Sequence, residues 1–348
     1  MPDACADGPA GAPADDEQAA ADVASRIGWR LMEAQALYDA AQAAGRKPDL
    51  ARALICLERD IPIWEALGRR KELSWALWDA GYAHTRRGAH DAAIPYYERT
   101  IEASAAVGNR ESVVRTMADL GVAYKRFGSL AKARETLERS LREKDAVGDR
   151  AWAARTVEEL GGVYYALNAT RLAMDAFRHA LDEYRALGHP NRASVVLGGV
   201  ALVHLQAGEF PKALEMFEQA LTEQRRLGMQ AAAANTLINL GILYSGIGAH
   251  AQAIDAQRRA LAEVEALGDR PGTGWALANL ALAHREQGSY QEALALAERA
   301  IAILDGTSNR VGAAMARCTI GLAHRGLGEH EAALKDFQRA LALEEAIG

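Results

Sequence analysis

One side chain able to bind metals or to move protons recurs at a fixed interval along the chain. Histidine occupies one register of a 40-residue period at four positions: His84, His204, His284 and His324. Packed helices lie about 8–10 Å apart, whereas zinc ligands lie about 2 Å from the ion, so histidines on successive repeats cannot share a metal. The same register holds tyrosine elsewhere, at Tyr124, Tyr164 and Tyr244. We therefore predict that histidine takes an aromatic place in the core.

The other reactive residue types give no pattern of an active site. The cysteines, Cys5, Cys56 and Cys318, are too scattered for a disulfide framework or a metal-ligand motif. Glycines follow the repeat rather than clustering before Lys-Ser/Thr as in a phosphate loop, and no nucleophile stands beside a base in a recognisable local motif. The sequence therefore predicts no catalytic residues, no metal and no cofactor, and hence a protein that is not an enzyme.

Composition and charge narrow the classes of partner. The chain has 348 residues, 50% of them hydrophobic, and a formal net charge of −6, which disfavours general affinity for nucleic acid or for anionic membrane surfaces. The sequence contains no run of 18 apolar residues, so no membrane span is predicted. Residues 1–18 contain Pro, Gly, Ala and acids without the pattern of a secretion signal, so we expect a disordered tail. With the scattered cysteines, these features favour a cytoplasmic protein.

A strict internal repeat organises everything after that tail. An alanine register is unbroken from Ala53 to Ala333 at intervals of 40 residues, and Gly68, Gly108 and Gly148 begin one of three glycine registers. Each unit predicts two helices, each ended by a glycine that can adopt the left-handed conformation. The small residues of the alanine register and of the register of Gly81 are expected where the two helices cross. One helix pair cannot bury its apolar face alone, but stacked pairs can.

The predicted architecture is all-α, with a single solenoid over residues 19–348. It contains about eight antiparallel helix pairs, at residues 29–67, 71–107, 111–147, 151–187, 191–227, 231–267, 271–305 and 311–347.

These units resemble the tetratricopeptide repeat (TPR). The matching residues of one unit are Leu237, Leu240, Gly241, Tyr244, Ala253 and Ala260, with Gln257 in place of an aromatic residue. The 40-residue unit is longer than the usual 34 and is similar to the repeats of kinesin light chain, of spindle-orientation adaptors and of bacterial regulatory repeat proteins. The resemblance implies a right-handed superhelical solenoid and a function in protein binding, but not a particular partner.

The resemblance also implies which residues face the concave groove, because the first helix of each unit lines it in this family. The implied peptide-binding residues are Trp75, Trp78, Tyr82, Arg86, Arg115, Lys125, Arg126, Arg155, Asn235, Asn239, Trp275, Asn279 and Arg285.

Each group of these residues also has a simpler interpretation. Asn239 and Asn279 share the register in which related proteins clamp a peptide backbone, or they are solvated amides that bind nothing. Trp75, Trp78 and Tyr82 share one helix face and suit a partner's anchor, or they pack against the first unit. The arginines and lysine attract an acidic peptide, or they belong to a solvated face of mixed charge, which is the favoured interpretation.

We therefore predict a protein-protein interaction scaffold or adaptor that binds an extended peptide or helix in the groove. The alternative is a ligand- or peptide-sensing regulatory repeat protein whose superhelix changes shape on binding. The last helix keeps the apolar pattern of internal units, at Leu334, Phe337 and Leu341. We expect this helix to associate with a second copy as a homodimer, to be capped by a partner, or to have been cut from a longer protein.

Overall fold

The computed structural model describes residues 19, 22, 23, 29–46, 49–305 and 310–347, so the predicted tail at residues 1–18 lies outside the described residues. Within those ranges the chain forms α-helices and one short 3₁₀ helix, with no strand, as the repeat pattern predicts. The chain divides into two compact units, Met1–Ala169 and Thr170–Gly348. They are larger than the 40-residue repeats and are called the first unit and the second unit from here on. The all-α class is confirmed, while a single solenoid over residues 19–348 stays a prediction.

The first unit contains seven α-helices in its described part, each packed against the next along the chain. They are α1 (Arg30–Arg46), α2 (Leu50–Ala66), α3 (Arg70–Arg86), α4 (His90–Ala106), α5 (Arg110–Phe127), α6 (Leu130–Arg142) and α7 (Arg150–Ala166). The predicted second helix of the third pair ends early. A 3₁₀ turn, Lys144–Ala146, follows α6 there instead of a continuous helix to residue 147.

The second unit contains nine α-helices in its described part, again packed in chain order. They are α8 (Thr170–Ala186), α9 (Pro190–Gln206), α10 (Phe210–Arg226), α11 (Gln230–Gly246), α12 (His250–Ala266), α13 (Arg270–Gln287), α14 (Tyr290–Leu304), α15 (Arg310–Gly326) and α16 (His330–Ile347). The first helices of neighbouring pairs also touch directly, α9 with α11, α11 with α13 and α13 with α15. They therefore present their outer residues side by side.

Backbone conformation at the helix ends explains one irregularity of the repeat. Gly128 and Gly288 cap α5 and α13 in the left-handed region, with φ of 96° and 88°. Asn168 stands where the same register elsewhere has glycine, and its φ is 56°. Asparagine is the residue that best tolerates this conformation after glycine, so the substitution preserves the helix end.

Close helix crossings explain the other small residues. A Cβ added to Gly121 would lie 2.6 Å from the Cγ of Leu137, and one added to Gly81 would lie 2.8 Å from the ring of Tyr97. Alanines of the unbroken register, such as Ala133 and Ala213, are fully buried. The prediction that these registers mark the crossing is confirmed.

The histidine register belongs largely to the interior. His204 and His284 are buried, and His84 stacks on the ring of Tyr96 with centroids 5.3 Å apart. Nδ1 of His324 lies within hydrogen-bond distance of Oε2 of Glu329, at 2.6 Å. These contacts agree with an aromatic place in the packing. No helix in the described part of the chain is long and apolar enough to cross a membrane.

Gln257 is a polar residue at a helix crossing, where most other repeats have large apolar residues. It is buried against Gly241 where the same register elsewhere holds Tyr97, Leu137 or Phe217. Its Nε2 donates to the Ile238 carbonyl at 2.9 Å, but its Oε1 is buried without a partner. Since an unsatisfied buried acceptor costs about 1–3 kcal/mol, we expect Gln257→Leu to raise the free energy of unfolding by about 1 kcal/mol, measured by urea denaturation.

The control is Gln252→Leu, at an exposed position of the same helix. It should leave stability within about 0.5 kcal/mol of the wild type. Loss of stability in Gln257→Leu alone would show that the amide contact outweighs the unpaired oxygen.

Candidate functional site

The predicted groove residues of the first unit lie on three neighbouring first helices. The set, which we call the unit 1 face, comprises Trp75, Trp78, Tyr82 and Arg86 on α3, Arg115, Lys125 and Arg126 on α5, and Arg155 on α7. Trp78 Nε1 donates to Asp119 on α5 at 3.0 Å, and Lys125 pairs with Glu159 on α7. These side chains tie the three helices together.

The aromatic residues of α3 form a partly open stack. Trp78 and Tyr82 stack with ring centroids 5.3 Å apart and planes 9° from parallel. Arg86 lies over the Tyr82 ring at 5.7 Å and donates to its hydroxyl at 3.0 Å. Trp75 and Tyr82 remain 44% and 41% exposed, whereas Trp78 packs partly against the core that includes Tyr97. The rings thus offer apolar area that the protein does not bury.

Two of the predicted cations are paired with carboxylates of the protein itself. Arg115 donates to Glu111 at 2.9 Å and to Asp149 at 3.4 Å, and its guanidinium lies 6.0 Å from the centre of the Trp152 ring. Lys125 is bound to Glu159. These two side chains stabilise the contacts between α5 and α7, in agreement with the mixed-charge interpretation.

The other three cations form no ion pair with a described carboxylate: Arg86, Arg126 and Arg155. Burial opposes ionisation of Glu159, but Lys125, with Arg126 and Arg155 nearby, outweighs it and lowers the pKa of that carboxyl. Burial raises the pKa of Asp119, although Arg155 counteracts it. The side of the face formed by α5 and α7 therefore keeps cationic groups available to a ligand.

Sequence reasoning missed an acidic cluster beside the aromatic stack. We define the acidic cluster as Asp39 on α1, Asp60 on α2 and Asp79 on α3. Tyr38 and Gln42 donate to Oδ2 of Asp79 at 2.9 and 2.6 Å. Burial raises the pKa of Asp79, and burial followed by the Asp79 charge raises that of the Tyr38 phenol.

Asp60 is the unusual member of the acidic cluster. It is fully buried, and neither carboxyl oxygen has a hydrogen-bond partner. Burial, reinforced by Asp39 and Asp79, raises its pKa to about 8. The sequence did mark Asp60 as unusual, because the same position of the 40-residue repeat holds only small residues elsewhere. These residues include Thr100, Ser140, Ala180, Ala220, Ala260 and Ala300.

The predicted groove residues of the second unit lie on α11 and α13. Asn235 is exposed and Asn239 is half-buried. Asn279 is buried, and its Nδ2 donates to the Trp275 carbonyl of its own helix at 2.9 Å. The half-buried Arg285 donates to Glu286 at 3.1 Å. The amide of Asn239 is therefore better placed than that of Asn279 to bind a peptide, and the clamp stays a prediction.

Two further features bear on possible ligands. In the described ranges no three His, Cys, Asp or Glu side chains lie together as metal ligands would. On α16, Leu334 and Leu341 are more than half exposed. The association of this helix with a second copy or a partner stays a prediction.

The helix pairs and their crossing residues match a known family model. The tetratricopeptide repeat model matches residues 72–142, 191–266 and 234–306, which together span more than half of the chain, and a second tetratricopeptide repeat model matches residues 313–348. The chain belongs to the tetratricopeptide repeat family. The resemblance based on the sequence motifs is thus confirmed, and proteins of this TPR family serve mainly in protein interactions. No curated protein matches the sequence.

Several solved structures share the fold of this TPR chain. The Rap conjugation gene regulator of plasmid pLS20, solved with the Phr* peptide, is 15% identical over 97% of each chain, with a TM-score of 0.67. A Rap protein complexed with competence and sporulation factor is 14% identical over 90% of this chain and 98% of its own (TM-score 0.61). Aspartyl phosphate phosphatase F from Bacillus subtilis is 13% identical over 88% and 93% (TM-score 0.52). At such identities the likeness concerns the fold alone.

The raised pKa of Asp60 should make the stability of the TPR chain depend on pH. Its folded-state pKa of about 8 exceeds the ordinary value of 3.8, so the folded chain keeps a proton that the unfolded chain releases. A rise in pH between these two values therefore favours unfolding, by at most about 1.4 kcal/mol per pH unit. We expect Asp60→Asn to be more stable than the wild type, by a margin that grows as pH rises through this window, measured by urea unfolding.

Asp91→Asn is the matched control, because Asp91 is exposed on α4. Its stability should follow that of the wild type at every pH. Parallel curves for Asp60→Asn and the wild type would mean that Asp60 titrates normally in the folded chain.

Proposed function

We propose that this TPR protein is a non-catalytic scaffold that binds an extended peptide on the unit 1 face. The observation that carries the proposal is the stacked pair of Trp78 and Tyr82 with the exposed Trp75 on the same helix, beside arginines that form no ion pair with a described carboxylate. Exposed aromatic groups and arginine are the side chains most enriched at the energetic centres of interfaces. Trp78 packs against the core, but Trp75 and Tyr82 leave a large apolar area exposed on the same helix.

The arrangement favours a particular kind of peptide. The rings on α3 would receive an apolar or aromatic side chain, and Arg126 and Arg155 would receive a carboxylate. Three first helices at about 10 Å per step span roughly 20 Å, which corresponds to about six residues of extended chain. The proposed ligand is therefore a short linear segment rather than a folded surface.

A second candidate function is peptide sensing, in which binding changes the shape of the repeat stack. It is supported by two structural neighbours, the Rap conjugation gene regulator of plasmid pLS20 in complex with the Phr* peptide and a Rap protein complexed with competence and sporulation factor. Small-angle scattering with and without a bound peptide separates the two functions. A scaffold should keep its radius of gyration, whereas a sensor should change it.

The binding proposal is tested with random linear peptides displayed on phage and selected on the full chain. A selected peptide is then synthesised, and its affinity is measured by fluorescence anisotropy. We expect the Trp75→Ala/Tyr82→Ala double variant to bind at least about tenfold more weakly, because truncation of aromatic anchors typically costs more than 1 kcal/mol. The matched control is Trp29→Ala, which removes an exposed tryptophan that precedes α1.

The cationic side of the unit 1 face is tested with a separate pair of variants. Arg126→Glu should weaken binding and reduce its dependence on salt, whereas Arg139→Glu, on the second helix of the same pair, should not. Circular dichroism confirms that each variant is folded. A folded Trp75→Ala/Tyr82→Ala variant that binds like the wild type would place the peptide elsewhere.

A further inference from the structure

Three carboxyl groups come together from three consecutive helices at one end of the unit 1 face. They belong to the acidic cluster, Asp39, Asp60 and Asp79. Tyr38 and Gln42 of α1 donate to Asp79 of α3, which joins the helices that carry Asp39 and Asp79. The charges of Asp39 and Asp79 both oppose ionisation of the buried Asp60 on α2. No described arginine or lysine forms an ion pair with any of them. Like charges collected without a counter-charge are unfavourable in the free protein, so their presence requires a reason.

Two of these carboxylates have one oxygen that no described donor reaches. Both internal donors of Asp79, the Tyr38 hydroxyl and the Gln42 amide, reach Oδ2 and not Oδ1. Asp39 accepts from Gln35 at Oδ1, at 3.0 Å, and no described donor reaches its Oδ2. Both residues are only partly buried. Tyr38 and Gln42 therefore hold the Asp79 carboxylate in place while leaving a lone pair for a ligand.

The third carboxyl lies beneath them. Asp60 is fully buried, and both of its oxygens lack a hydrogen-bond partner. A register that holds alanine in the second unit could have held it here as well. A buried, unpaired acid at this position adds no packing and keeps its proton in the free protein, but it can release that proton and become negative when a cation binds beside it.

We propose that the acidic cluster receives the basic side chain, arginine or lysine, of the peptide bound on the unit 1 face. This inference rests on the proposed peptide binding and adds the chemistry of one peptide residue. A guanidinium spreads five donors over a plane and can contact Asp39 and Asp79 together. A bare metal ion fits less well, because the described acids are not grouped as metal ligands would be.

The peptide would therefore carry its charges in a fixed order. A basic residue would lie over α1 and α3, an apolar residue over the rings of α3, and an acidic residue over α5 and α7. Opposite charges at the two ends of the face would set the direction of the bound chain. Binding of the cation should also draw protons from the carboxyl groups, since an adjacent positive charge favours their ionised form.

The test uses the peptide selected on the full chain and a synthetic copy in which citrulline replaces arginine, or acetyl-lysine replaces lysine. We expect the basic peptide to bind the wild type at least about tenfold more tightly than its neutral copy. Asp79→Asn should remove most of that difference. Calorimetry in buffers of different ionisation enthalpy should detect proton release for the basic peptide only, reduced in Asp60→Asn.

Asp91→Asn, exposed on α4, is the control and should keep the full preference for the basic peptide. Selected peptides that lack a basic residue, or that bind equally well with citrulline, would overturn the cation site. If the same peptides still require Trp75 and Tyr82, the proposed function stands without it. A selection that yields no binder would overturn both proposals.

Discussion

The close approach of paired helices is the constraint on which this structure depends. At Gly121 the backbone of α5 lies so near Leu137 of α6 that even a methyl group would overlap it. Fully buried alanines such as Ala133 allow the same approach from the second helix. Because the pairs within each unit cross in this way, the first helices of neighbouring pairs in a unit come to lie side by side. Binding residues far apart in sequence can then share one face.

The close crossing also limits which side chains can be buried there. The two compact units have different residue types at the repeat position of Asp60. In the first unit the register of Asp60 continues with Thr100 and Ser140, whose hydroxyls donate to backbone carbonyls at 2.8 and 2.7 Å. In the second unit the register holds alanine. A hydroxyl satisfies its own hydrogen bond at such a site, whereas the buried carboxyl of Asp60 has no partner. Asp60 therefore costs stability that a small residue at this position would not.

Some cations of the unit 1 face form ion pairs within the protein, and others do not. Arg115 and Lys125 join neighbouring helices through Asp149 and Glu159, and their contribution is mainly to orientation. Arg126 and Arg155 lack such partners, so a ligand could use them without breaking an internal contact. A net charge of −6 for the whole chain conceals this local cationic area.

The sequence by itself determined the family, the helices and their crossings, because these depend on small residues and helix-ending glycines at a fixed period. It also placed Trp75 and Asn279 on first helices. Only the tertiary structure decided that Trp75 is open whereas the amide of Asn279 is buried and bound to its own helix. It likewise revealed the acidic cluster, since Tyr38 and Asp79 meet across 41 positions of sequence. Contacts of that kind depend on rotamers and helix packing, which periodicity does not encode.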